Sequence, residues 1–290
     1  MDIHGFHHTG ILTRDLDGLE RAYTSFGFTL SPRSRHLLSV RPGEAPVTGC
    51  TANRCAPFGD AFIELLGIVD ESAPDPWHTK AIPDGFRILI FDTADAEATD
   101  ARLTTAGLRT SGVLDLERDV DTEQGARVLR ARAVHIDPRS TPEASVGIAQ
   151  HLTREYVHQP RYLDHPNGAR ALGAVLIVAG DAEFDVVRDR YARILETAPR
   201  TEGPLTILPM ATGRLEMIRA SNAAEFLPDE PTPASGGSSS YLAAMTIHVH
   251  DIAHARALVE KEGTPAHSTP DGFLISASDA YGATLFFEAG

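Results

Sequence analysis

One pattern recurs four times along this chain of 290 residues and constrains its fold more than any other feature. Each copy, here called a module, opens with an apolar strand, continues with an amphipathic helix and ends in further strands. In the first module the helix places Leu16, Leu19 and Tyr23 on one face, and Gly27 follows as a stop signal. A single module could not bury its sheet face, so the modules are expected to pair.

The pattern predicts individual elements in each module. Expected strands lie at residues 4–12, from 29, 50–57, 61–68, 86–91, 127–136, 146–152, 174–178, 206–209, 214–219, 244–248, 273–276 and 284–288. Expected helices begin near residues 16, 94, 181 and 252. A stretch rich in Pro, Asn, Gly and charge at 159–171 predicts two domains, 1–165 and 166–290, and the segment 227–240 reads as a flexible linker.

Composition excludes several classes of partner. The formal net charge of −14 argues against binding to nucleic acid or to an anionic membrane, because both reward Lys and Arg. No export signal and no run of 18 apolar residues is visible, so no membrane span is expected. Cys50 and Cys55 are too few for a disulfide framework and match no zinc spacing. They are interpreted as isolated thiols of a cytoplasmic protein.

Two positions are candidate functional sites because of their side-chain chemistry. His7 and His8 are adjacent in the first strand, and strand alternation predicts that only one of them faces a given cavity. Glu64 lies in an apolar run, and a buried carboxylate there needs a partner or a metal ion. A salt bridge to an arginine or a surface-facing position is the alternative for Glu64.

Arg130 and Arg132 alternate along a predicted strand and therefore share a face. If that face lines a cavity, the two guanidinium groups could bind a substrate carboxylate or enolate. A solvated strand face is the alternative. The chain has no phosphate-binding Gly loop and no Gly-x-Ser-x-Gly elbow.

The motifs at residues 6–16, 23–28 and 62–66 resemble those of the vicinal oxygen chelate superfamily. The runs at 150–153 and 159–169 are similar to its glyoxalase-like branch. This resemblance implies an α+β fold of paired βαβββ modules, four modules in two domains. It also implies one divalent metal ion on a concave sheet face, held by residues of the first and last strands of paired modules.

Carried over by position, the resemblance implies His8, Glu64 and His151 as metal ligands and Glu64 as the catalytic carboxylate. The fourth position holds Arg87 or Ile88, neither of which is a plausible ligand. Two imidazoles and one carboxylate leave coordination positions open for substrate or O₂ and suit Fe(II), with Mn, Ni or Zn as alternatives. His7 is expected to face away.

In the second half the corresponding positions hold two alanines and two carboxylates, a poor transition-metal set: Ala174, Glu216, Ala244 and Glu288. The metal is therefore expected in the first domain only. A displaced site involving His248 and His250 is the alternative. The second domain is expected to cover the catalytic half or to form an interface, and a homodimer is left open.

The resemblance implies a metal-dependent enzyme that acts on a small oxygen-chelating substrate, such as a diketone, an enol or a catechol-like molecule. Oxidative C–C cleavage by an Fe(II) dioxygenase is favoured over redox-neutral lyase or isomerase chemistry. The alternative from another class is a metal-free protein that binds and sequesters a small molecule.

Overall fold

The computed structural model describes residues 2–227 and 239–290. The elements of the first half are β1 (Ile3–Thr13), α1 (Leu16–Ser25), β2 (Ser34–Leu38), β3 (Val47–Pro57), β4 (Phe62–Ile68), β5 (Gly85–Thr93), α2 (Ala96–Thr105), β6 (Thr110–Thr122), β7 (Gly125–Ile136) and β8 (Ser145–His151). Those of the second half are α3 (Pro160–Leu163), β9 (Ala169–Ala179), α4 (Phe184–Leu195), β10 (Arg200–Glu202), β11 (Leu205–Pro209), β12 (Arg214–Arg219), β13 (Tyr241–Val249), α5 (Ile252–Lys261), β14 (His267–Thr269), β15 (Gly272–Ile275) and β16 (Thr284–Ala289).

The eight strands of the first half form a closed barrel in the order β1-β4-β3-β2-β6-β7-β8-β5. Within each module the first and last strands are parallel, β1 with β4 and β5 with β8. The two modules join through an antiparallel β1–β5 pair, and a short β2–β6 pairing closes the barrel on the other side. The expected α+β fold of paired βαβββ modules is confirmed.

The second half repeats this arrangement as an open sheet, in the order β10-β11-β12-β9-β13-β16-β15-β14. Its centre is again an antiparallel pair of first strands, β9 with β13. The two end strands, β10 and β14, have three residues each and do not pair with one another. The sheet therefore stays open where the first one closes.

Aspartate caps set the starts of three module helices. The side chains of Asp15, Asp95 and Asp251 each accept a hydrogen bond from the backbone N–H three residues on, which satisfies one free donor of the first turn. The first helix ends before Gly27, whose φ of 86° suits glycine. These local signals explain why the expected helix starts lie close to the observed ones.

Several expected strands differ from the structure. The second strand begins at Ser34 instead of residue 29, because Thr29 binds the connection between the two halves. Its N–H donates to His165 Nδ1 at 2.9 Å and its hydroxyl to the Asp164 carbonyl at 2.6 Å. Strands β6, β10 and β14 were not expected at all; β6 carries many charged residues on its outer face, which hides it from an apolar pattern.

The two halves share one hydrophobic core. Phe28 packs against Phe287, with ring centroids 6.2 Å apart, and Phe91 against Tyr191 at 6.5 Å. The first sheet ends at His151 and the second begins at Ala169. The domain boundary at 165 stays a prediction, and residues 228–238 of the expected linker lie outside the described residues. No helix of the described residues is long and apolar enough to cross a membrane.

Candidate active site in the first barrel

The closed barrel contains a cavity of about 110 Å³ with an unusual lining. Five of the 13 histidines in the chain border it, together with one carboxylate, that of Glu64. Most of the remaining wall is aliphatic. The five histidines are His7, His8, His36, His135 and His151.

Glu64 and His8 approach each other in this cavity. Parallel pairing of β1 with β4 sets His8 opposite Phe62, two residues before Glu64, and brings His8 Nε2 to 3.5 Å from Glu64 Oε2. Asn53 donates to Glu64 Oε1 at 2.6 Å, and the Phe62 ring stacks on His8 at a centroid distance of 4.7 Å. Glu64 is only 7% exposed. Its neighbours are thus imidazoles and an amide rather than the arginine or the solvent of the alternative interpretation.

The expectation that His7 faces away from the cavity is wrong. The β1–β5 register shifts between Phe6 and His8, and this bulge interrupts the alternation of side chains. His7 Nδ1 lies 2.7 Å from His8 Nδ1, so one nitrogen donates and the other accepts. The His7 ring also packs against His151, with centroids 4.0 Å apart. His7 is therefore part of the site.

His151 lies beyond His7, at the end of β8, and approaches His158 at a centroid distance of 5.9 Å. His158 pairs its Nδ1 with the Phe58 carbonyl at 2.9 Å, so that nitrogen is the donor. Four buried imidazole nitrogens lack a hydrogen-bond partner among the described residues: His7 Nε2, His135 Nε2, His151 Nδ1 and His158 Nε2. Unpaired buried nitrogens of this kind are free to bind a ligand.

These residues fit a divalent metal ion by donor chemistry. Imidazole and carboxylate are suitable ligands for first-row transition metals. The predicted ligands His8, Glu64 and His151 all border the one cavity, but His7 stands between His8 and His151. Among residues 2–227 and 239–290, no three His, Cys, Asp or Glu side chains are already grouped as an ion would need. The triad would require side-chain rotation to form.

Burial keeps the cavity histidines neutral. It lowers the pKa of His8 and of His36 to about 3 and that of His135 to about 4, and it depresses the pKa values of His7 and His151 well below their usual range. Burial raises the pKa of Glu64, an effect that the Asn53 hydrogen bond and the charge of Arg118 partly offset. Neutral imidazole is the form that binds metal ions.

The expected substrate-binding role of Arg130 and Arg132 is not supported. Arg130 donates from Nε to Glu117 at 2.9 Å and is exposed, which fits the alternative of a solvated strand face. Arg132 borders the cavity, yet its guanidinium donates to Glu97 on α2 at 2.7 Å. The arginine that does border the cavity without a carboxylate partner is Arg118, which the sequence analysis did not single out; it stands between Glu117 and Asp119 in the sequence.

The second half differs at the corresponding positions. Glu216 accepts a hydrogen bond from Arg214 Nε at 2.6 Å, and Glu288 is half-buried. The Nδ1 atom of His250 lies 3.4 Å from Nη1 of Arg170. The absence of a metal from this half stays a prediction.

The paired βαβββ modules and the cavity that they enclose have the arrangement expected of the vicinal oxygen chelate class. Residues 6–195 match the model of the glyoxalase-like domain family, which is more than half of the chain. The chain belongs to this family, and the expected resemblance is confirmed. A comparison with curated proteins found no match.

Solved structures share the fold at low sequence identity. A hypothetical protein from Staphylococcus aureus is 12% identical with a TM-score of 0.63, over 98% of this chain and 99% of the other. A fusion of a xylose isomerase-like TIM barrel with 4-hydroxyphenylpyruvate dioxygenase is 12% identical with a TM-score of 0.54, over 92% and 40%. A mutant 4-hydroxymandelate synthase from Streptomyces coelicolor is 12% identical with a TM-score of 0.54, over 93% and 78%. At this identity the likeness shows the fold alone.

Proposed function

We propose that this chain is a metal-dependent enzyme acting on a small substrate that offers two neighbouring oxygens, such as a diketone, an enol or a catechol-like molecule. The observation that carries the proposal is the group of neutral imidazoles around one buried carboxylate inside the closed barrel. The family agrees with it, as does the fold shared with structures named 4-hydroxyphenylpyruvate dioxygenase and 4-hydroxymandelate synthase.

His8 and Glu64 would hold the ion, because their side chains already approach each other at 3.5 Å. His151 is the third ligand in this proposal, and His7 competes with it because its Nε2 is buried without a partner. When bound, a divalent ion would supply Lewis-acid stabilisation of negative charge on the substrate oxygens. Fe(II) is favoured, with Mn, Ni or Zn as alternatives.

The chain's own residues would prepare this site for the reaction. Asn53 fixes the orientation of the Glu64 carboxylate, and the Phe62 ring holds the imidazole of His8 by stacking. Aliphatic side chains reduce the access of water, which strengthens the electrostatic interactions inside. The main ones form a buried cluster of Leu12, Leu66, Ile68, Ile88, Ile90 and Ala149.

Three protein ligands leave open positions for both a chelating substrate and O₂, so oxidative C–C cleavage is the reaction we favour. Redox-neutral lyase or isomerase chemistry would use the same ligands without O₂. A metal-free sequestering protein is the alternative from another class, and the apolar wall of the cavity is the feature that favours it.

The test begins with anaerobic reconstitution of the purified full chain with Fe(II), Mn(II), Ni(II) or Zn(II), followed by metal analysis. One bound ion per chain is expected. A panel of diketones, enols and catechols is then supplied with and without O₂, and O₂ uptake and products are measured. Turnover that needs O₂ supports the dioxygenase, and anaerobic turnover supports the lyase or isomerase. Small-molecule binding without any bound metal would overturn the enzyme proposal.

A further inference from the structure

Arg118 occupies an uncommon position for an arginine. It lies on β6 and is only 4% exposed. Its Nη2 donates to the Sγ of Cys55 on β3 at 3.6 Å. Because β2 lies between β3 and β6 in the barrel, this contact requires the side chain to extend through the barrel interior. The guanidinium therefore reaches the cavity from the side opposite β1.

Arg118 has no carboxylate within salt-bridge distance among the residues that the structure describes; the sulfur of Cys55 is its hydrogen-bond partner. Arg190, the other arginine buried among the described residues, is different: its Nη2 donates to the buried Glu143 at 2.6 Å. A guanidinium cannot lose its proton, so burial of an unpaired one is costly and is not relieved by neutralisation. Such a charge is expected to find its anion in a ligand.

The surroundings of Arg118 limit what that ligand can be. The neighbouring wall is an apolar cluster of Cys55, Phe62, Leu129, Ala131 and Val157. Glu64 is the one carboxylate of the cavity lining; it is held by Asn53 and is not within ion-pair distance of Arg118. On the side of Arg118 the wall is thus apolar and the histidines and Glu64 lie elsewhere in the lining, so the cavity suits a small molecule that has an apolar body and one anionic group.

We propose that Arg118 binds a carboxylate of the ligand, so that the substrate of this enzyme is a small apolar organic acid. The planar fork of arginine matches a carboxylate in a bidentate arrangement. The carboxylate lies at the β6 side of the cavity, and the reacting oxygens lie near His8 and Glu64. The assignment of this acid as a substrate rests on the proposed function, whereas carboxylate binding by Arg118 does not.

The test uses two probes of nearly the same shape that differ in charge, benzoate and benzamide. Binding to the full chain is measured by calorimetry after removal of metal with a chelator, so that no ion can bind the carboxylate. Wild type is expected to prefer benzoate by about 10- to 100-fold, the range for hydrogen bonds to charged groups. R118M should bind both probes equally. R118K should keep only part of the preference, because lysine retains the positive charge but lacks the planar fork of arginine.

R130M is the matched control, since Arg130 lies on the outer face and pairs with Glu117. It should keep the wild-type preference. Without ligand, R118M should melt at or above the wild-type temperature, because an uncompensated buried charge is gone. A wild-type chain that binds the two probes equally, or binds neither, overturns the proposal even if R118M does not fold. If the chain binds no metal ion in the reconstitution described above, the proposal of a metal-dependent enzyme fails. A preference for benzoate that depends on Arg118 would still establish the carboxylate site.

Discussion

The two halves of this molecule share one plan and differ in what that plan encloses. Both are built around an antiparallel pair of first strands, each flanked by a parallel last strand. In the first half, β6 and β7 have 13 and 12 residues, long enough for β6 to reach β2 and close the barrel. In the second half, the corresponding end strands have three to five residues and the sheet stays open.

The residues on the two sheets follow this difference. The first half directs histidines and Glu64 into its cavity, whereas the second carries an apolar cluster of Leu176, Val178, Ile218, Leu227, Tyr241, Ala243 and Ala244. Polar groups persist inside a protein where they are paired or used, because an unpaired one costs free energy. Barrel closure and the polar lining thus occur together in this chain, and the candidate chemistry lies in the first half.

The largest expected effect comes from a matched pair of substitutions, one in each half. Glu64 faces Gly10 across the β1–β4 pair, and Glu216 faces Leu176 across the equivalent β9–β12 pair. Glu64→Gln removes the one anionic ligand and should weaken metal binding at least about 100-fold, more than loss of an outer hydrogen bond would. Glu216→Gln should bind metal as wild type does. Metal titration of both variants checks this, and equal losses would show that the halves do not differ in this way.

The bulge at His7 gives the second test. His7→Phe keeps a ring between His8 and His151 but removes both nitrogens. We expect metal affinity to fall about 10-fold, because His8 loses its partner at 2.7 Å and the cavity loses a free imidazole nitrogen. His248→Phe, in the second half, is the control. Unchanged affinity in His7→Phe would restore the expectation from strand alternation that His7 has no role.

These two variants mark the limit of what the sequence could predict. Module order, helix starts and the position of Glu64 follow from local signals, namely aspartate caps and apolar periodicity. The bulge that turns His7 inward depends on the pairing of β1 with β5, which no local pattern records. Arg118 is hidden for a related reason. It stands between Glu117 and Asp119, and only the long-range β2–β6 closure makes its side chain an interior one.

Acid should lower the unfolding free energy through the buried histidines of the first half. Burial lowers the pKa of His135 to about 4, whereas an unperturbed histidine in the unfolded chain has a pKa of about 6.5. Between these two pKa values the unfolded chain binds a proton at His135 and the folded chain does not. The contribution of His135 to the unfolding free energy is therefore fully present above about pH 6.5 and is lost as the pH falls toward 4. From pH 6 to 5 the loss approaches about 1.4 kcal/mol for each such histidine.

Chemical denaturation of the metal-free chain at pH 8, 6 and 5 measures this slope. His135→Phe should have a smaller slope than wild type between pH 6 and 5, because one buried imidazole has been removed. At pH 8 histidine is neutral in both states, so the comparison there isolates the packing effect of the new ring. An unchanged slope would mean that His135 takes up its proton over the same pH range in the folded and the unfolded protein, contrary to the lowered pKa.

The smallest expected effect concerns a feature that the halves have in common. Asp15 accepts from the Gly18 N–H at 2.9 Å and Asp251 from the His254 N–H at 3.0 Å, each at the start of a module helix. Loss of an aspartate cap costs about 1 kcal/mol, and asparagine replaces aspartate well at this position. Asp15→Ala and Asp251→Ala should therefore each lower the unfolding free energy by about that amount, and the asparagine variants should not. Similar losses in the two alanine variants would show that the modules keep one helix design while their sheets have diverged. If only Asp15→Ala lowers the unfolding free energy, the helix start in the first half contributes more to the stability of the chain than the one in the second half.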